Sequence, residues 1–125
     1  MPRILVIDDD PSVRSLLEQT LQSAGHEVAL ATDGREGLEQ FLTKPPDLVI
    51  TDIYMPNQEG LETIVELRKR SPDVRLIAMS ARPAAVTMLS IAQKLGTIEV
   101  LQKPFLAEEL LAAVGKALRI DSRLV

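Results

Sequence analysis

Five times along this chain a short run rich in Val, Ile, Leu and Ala is followed by residues with helical apolar spacing. The runs are Arg3 to Ile7, Glu27 to Leu30, Asp47 to Thr51, Val74 to Met79 and Ile98 to Leu101. Each is too short for a typical helix. Runs as apolar as "ILVI" and "LVI" do not alternate as a strand with one wet face does, so they read as strands covered on both sides. The segments between them supply the cover. Val13, Leu16, Leu17, Thr20 and Leu21 form one helical stripe, and Leu38, Phe41 and Leu42 a second. Leu61, Ile64, Val65 and Leu67 form a third, Ala84 to Leu95 is a fourth helix, and Phe105 to Leu118 is a fifth. The boundaries carry the expected punctuation. Asp10-Pro11 is a cap and first-turn pair, Gly25 closes the first helix, and "DGRE" (Asp33 to Glu36) resembles a capping box. Strand and helix alternating in this way predict an α/β fold built on a parallel sheet with helices on both faces.

At 125 residues the chain suits one domain, taken as 1–125, with enough length to bury a real core. Its formal net charge of −4, without a basic cluster, argues against direct nucleic-acid binding. Only 2% of residues are aromatic, so there is no stacking platform for single strands. No apolar run approaches membrane-spanning length, so no membrane partner is expected. Cysteine is absent, which removes disulfides and thiolate metal sites and fits a cytoplasmic location.

The residues that a core does not explain fall at strand ends. Asp8 and Asp9 follow the first strand, Asp52 the third, Ser80 the fourth and Lys103 the fifth. In a parallel sheet all of these ends share one edge. Ligands bind at that edge where strand order reverses, which in the order 2-1-3-4-5 lies between the first and third strands. Carboxylates crowded together are unfavourable unless a cation joins them. Oxygen donors without His or Cys suit a hard ion, above all Mg²⁺. A hydroxyl and an ammonium nearby can receive phosphoryl oxygens. The chemistry suggested is phosphoryl transfer with one Asp as nucleophile. Asp10 reads as a helix cap rather than a ligand, and His26, in the turn after Gly25, as an exposed bystander.

Four motifs in order, "VIDDDPSVR", "DLVITDIYMPNQEGLE", "MSAR" and "LQKPF", resemble the receiver domain of two-component response regulators, along essentially the whole chain. The resemblance implies a flavodoxin-like, doubly wound five-stranded sheet of order 2-1-3-4-5 with five helices. It implies that Asp52 accepts a phosphoryl group from the phosphohistidine of a sensor histidine kinase or a phosphotransfer protein. Asp9 would meet Mg²⁺ directly and Asp8 through water, with Asp52 and the backbone carbonyl of Tyr54 as further ligands. Ser80 and Lys103 would contact the phosphoryl group, and Lys103-Pro104 matches a cis peptide of the family. The signal would pass to a downstream protein or a fused output domain.

Three positions depart from the pattern or qualify it. Val100 stands where the family usually has Tyr or Phe, so coupling through a swinging ring is not expected. Tyr54 and Arg82 are bulky neighbours expected to shield the phosphoryl group from water. The fourth helix is so apolar that Met88 or Ile91 is expected to meet a partner, and a homodimer through the fourth and fifth helices is one form of that contact. Two rival functions share parts of the pattern: a receiver-like interaction module that takes no phosphate, and a haloacid dehalogenase-type phosphatase using Asp8 and Asp10.

Overall fold

The computed structural model describes residues 1–53, 59–80 and 99–123, with side chains described for all of these except 59–60 and 120–123. Five strands, β1 (Arg3–Ile7), β2 (Glu27–Ala31), β3 (Leu48–Asp52), β4 (Leu76–Ser80) and β5 (Glu99–Gln102), form one sheet in the order β2-β1-β3-β4-β5. Every neighbouring pair is parallel. The described helices are α1 (Pro11–Ser23), α2 (Gly34–Thr43), α3 (Glu59–Arg70) and α4 (Ala107–Arg123). The sequence-predicted fourth helix, Ala84 to Leu95, lies outside the described residues, and with it Met88 and Ile91. No helix among the described residues is long and apolar enough to cross a membrane.

The strand sequences are apolar throughout because successive side chains enter two separate cores. Leu5 and Ile7 of β1, Val49 of β3, and Leu76 and Ala78 of β4 pack with Phe41 of α2 and with Ile64 and Leu67 of α3. Ile4 and Val6, Leu48 and Ile50, and Ile77 and Met79 pack on the opposite face. Their partners there are Leu17 and Leu21 of α1 and Leu110, Ala113, Val114 and Ala117 of α4. Each large side chain fully buried this way contributes about 1.5–3 kcal/mol. Val100 is half-buried and packs against the first of these cores.

The helix ends follow their local chemistry. Asp10 caps α1 by accepting the Ser12 N–H, and Pro11 opens the helix. The helix closes with Gly25 at φ 94°, where the Gly25 N–H donates to Gln22 and the His26 N–H to Leu21. That is a Schellman motif, and it explains why glycine stands there. Asp33 caps α2 through the Glu36 N–H, while the Glu36 carboxylate turns back to the Thr32 N–H.

Several expectations need correction. The last helix begins at Ala107, not Phe105. Leu106 is its cap residue: its N–H donates to Glu109 Oε1 and its carbonyl accepts the Leu110 N–H. Leu106 is therefore 63% exposed and stands apart from the buried face of α4. Leu16 and Leu42, one residue off the inward-facing Leu17 and Phe41, are also exposed, because a step of about 100° carries them off the core face. His26 is half-buried, not exposed, and its Nδ1 is enclosed.

Candidate functional site

Each ladder runs one residue beyond its strand before the chain turns away. The Asp8 N–H donates to the Ala31 carbonyl at 3.1 Å, Ile53 N–H to Met79 at 2.9 Å, and Lys103 N–H to Ser80 at 2.7 Å. These bonds hold Asp8, Asp52 and Lys103 at one edge of the sheet, around the β1–β3 switch point. Asp8 and Ser80 are fully buried, Asp52 is nearly so, and Asp9 is exposed. Asp52 is the last residue of β3 and Ser80 the last of β4, each one place inside the strand that the sequence had ended just before it.

Asp8, Asp9 and Asp52 each present a carboxylate oxygen within 4.8 Å of the others. Lys103 Nζ bridges two of them, at 2.8 Å from Asp8 Oδ2 and 3.2 Å from Asp52 Oδ2. Partial burial works against the ammonium charge, but the bond to Asp8 and the charges of Asp52 and Asp8 outweigh it, and the Lys103 pKa is raised. Asp8 is also bound at its other oxygen, where Oδ1 accepts the Asp10 N–H at 2.9 Å. The Lys103-Pro104 peptide is cis. Beside the site, Asp10, Val13, Leu16, Lys103, Pro104 and Phe105 line a groove of about 400 Å³.

The structure thus brings together Asp8, Asp9, Asp52 and Lys103 as the sequence predicts, with buried Ser80 at the end of the adjacent strand. Tyr54 and Arg82 lie outside the described residues. Asp10 accepts the Ser12 N–H as the α1 cap and stands outside the cluster of Asp8, Asp9 and Asp52, which the phosphatase alternative would need it to join. One residue was missed. Arg14 Nη1 donates to the Asp8 carbonyl at 2.7 Å. The available signal was an arginine four places after the cap Asp10, hence one helical turn above the acidic loop.

A parallel sheet of this order, with its acidic residues gathered at the switch point, places the molecule among the flavodoxin-like α/β proteins. Within that class, residues 4–115 match the model of the response regulator receiver domain, and the chain belongs to that family. The DNA-binding transcriptional regulator NtrC of Azospirillum brasilense is 39% identical over 119 residues, covering 95% of this chain and 24% of that protein. The response regulator MprA of Mycolicibacterium vanbaalenii is 39% identical over 117 residues, 94% of this chain and 50% of that one. The chain therefore spans a quarter to a half of the length of these relatives. A receiver domain protein of Clostridium thermocellum superposes with a TM-score of 0.92 at 31% identity, each chain fully covered. TrrA of Thermotoga maritima, crystallised with Mg²⁺-BeF, gives 0.85 at 38% identity, covering 94% of this chain and all of that one.

Proposed function

We propose that the whole chain, 1–125, is one receiver domain, that Asp52 is its phospho-acceptor, and that the donor is the phosphohistidine of a sensor kinase or phosphotransfer protein. The observation that carries this reading is Lys103 held between Asp8 and Asp52, an ammonium bonded to both carboxylates at the open edge of the sheet. An Asp52 oxygen attacks phosphorus, the P–N bond breaks, and the imidazole departs with the bonding electrons and takes up a proton. Lys103 exchanges its carboxylate bond for a phosphoryl oxygen, and Ser80 supplies a hydroxyl at the next strand end. Tyr54 and Arg82 shield the product from water.

The residues present fit a Mg²⁺ ion: three carboxylates within reach of one another, two of them buried, with one lysine bonded to two. Asp8, Asp9, Asp52 and the Tyr54 carbonyl would hold it. When bound, it supplies the positive charge that lets an anionic acceptor meet an anionic donor. The domain acts as a signalling module whose chemistry is confined to its own phosphorylation and reset, and its output passes to a downstream protein or fused domain.

Incubation with Mg²⁺ and acetyl phosphate, followed by intact mass, tests the assignment. One added phosphoryl group is expected, absent with Asp52→Ala and absent without Mg²⁺. No adduct on the wild-type protein would instead favour the interaction-only reading.

A further inference from the structure

Asp9 is the exposed member of the carboxylate trio, between the buried Asp8 and the α1 cap Asp10. Free on a turn, such a side chain would sample many positions, and a metal would have to order it on binding. The backbone around it is closed into a small ring of contacts. Asp8 Oδ1 accepts the Asp10 N–H, the Asp10 carbonyl accepts the Arg14 N–H at 3.0 Å, and the Arg14 guanidinium returns to the Asp8 carbonyl at 2.7 Å. The Asp8 carbonyl shares a rigid plane with the Asp9 N–H and Cα. Two peptide planes meet at the Asp9 Cα: the Arg14 bond holds the one before it and the Asp10 N–H bond to Asp8 Oδ1 the one after it, and together they limit the direction in which Asp9 leaves the backbone.

We propose that Arg14 is a positioning residue for the metal site, holding the Asp8–Asp9 peptide so that Asp9 is set for a divalent cation before the cation arrives. The inference rests on the Mg²⁺ reading above. It has a sign that simple electrostatics does not share. Arg14 is a cation beside a cation site, so by charge alone its removal tightens Mg²⁺ binding. By positioning, its removal weakens binding, and partners of metal ligands commonly matter by 10–100-fold.

The test is calorimetric titration of Mg²⁺ into wild type, Arg14→Met, Arg14→Lys and Arg35→Met, with urea unfolding in EDTA alongside. Arg35 is an exposed arginine on α2 and controls for lost charge. Arg14→Met is expected to bind Mg²⁺ about tenfold more weakly. Arg14→Lys, which keeps a donor of similar reach, should fall between it and wild type, and Arg35→Met should match wild type or bind slightly tighter. The affinity of the folded protein does not follow its global stability, so a purely structural tie moves the urea curve and leaves the Kd unchanged. Equal or tighter binding by Arg14→Met overturns the proposal. Should that variant not fold, an unchanged Kd for Arg14→Lys overturns it. A wild-type protein that binds no Mg²⁺ removes both this proposal and the reading beneath it, whereas wild-type binding with an unaffected Arg14 variant removes this one alone.

Discussion

Asp9 has a carboxylate oxygen within 4.8 Å of carboxylate oxygens on Asp8 and Asp52, whereas Lys103 bonds to the other two. Two like charges about 4 Å apart cost about 1 kcal/mol even in water. Asp9→Asn should therefore stabilise the protein in EDTA by about that amount and remove most of the stabilisation given by Mg²⁺; urea unfolding with and without the ion checks both halves. Glu27, at the other end of the sheet, shows the opposite balance. It lies across from Arg3 in the β1–β2 register and accepts a hydrogen bond from that guanidinium, with Lys44 Nζ at 3.4 Å. The Arg3 bond, and then the Lys44 charge, lower its pKa below the ordinary 4.5. A depressed carboxyl pKa means the folded state binds its proton less readily than the unfolded chain. The contribution is complete above about pH 4.5 and is lost as pH falls through the lowered value. Wild type should exceed Glu27→Gln in stability at pH 7, and in urea titrations the gap should narrow progressively as pH falls below about 4.5.

At the scale of elements, the close approach of α2 to β1 depends on a missing side chain. A methyl on Gly37 would overlap Ile7 Cδ1 and lie 2.8 Å from Ile7 Cγ1, and Ile7 is fully buried. Gly37→Ala in a helix would ordinarily gain about 1 kcal/mol. Here the overlap should reverse the sign and cost about 1–3 kcal/mol. Pairing it with Ile7→Val, which removes the overlapping Cδ1, should recover part of the loss in a double-mutant cycle. The sequence placed a helix across Gly37 without revealing this, because the reason is a residue 30 positions earlier. The same division runs through the other elements. Strand–helix alternation and the caps at Asp10, Gly25 and Asp33 were legible because periodicity and turn chemistry are local. The cap at Leu106, made through Glu109 three residues on, and the outward turn of Leu16, one step of about 100° from Leu17, are local too, but an apolar residue at a cap or beside a stripe carries no compositional signal. That His26 is enclosed depends on packing between distant elements. At the site, the residues were legible from their strand ends. The shorter of the two Lys103 contacts, to Asp8, and the Arg14 bond to its carbonyl were not.

For the whole molecule, what matters is that the site draws on every strand but β2. Asp8 follows β1, Asp52 ends β3, Ser80 ends β4 and Lys103 follows β5. A ligand that engages these ends together binds the native sheet and has nothing equivalent in the unfolded chain, so local binding must register as global stability. Held by the proposed ligands, Mg²⁺ alone would touch the β1 and β3 ends. Beryllofluoride, a phosphoryl mimic, would add the β4 and β5 ends through Ser80 and Lys103, but only once the carboxylate charge has been offset by the metal. The two should therefore be synergistic in thermal unfolding. Mg²⁺ alone should raise Tm modestly and beryllofluoride alone not at all. Together, at about 100 times the apparent Kd, they should contribute about 2.7 kcal/mol, on the order of 10 °C for a domain of this size. Asp52→Ala should abolish the synergy, because the mimic loses its anchor. Lys103→Met should reduce it while sparing binding of Mg²⁺, because the lysine is expected to meet the mimic rather than the ion. Additive shifts, or a full shift in Asp52→Ala, would mean that the four strand ends do not act as one site.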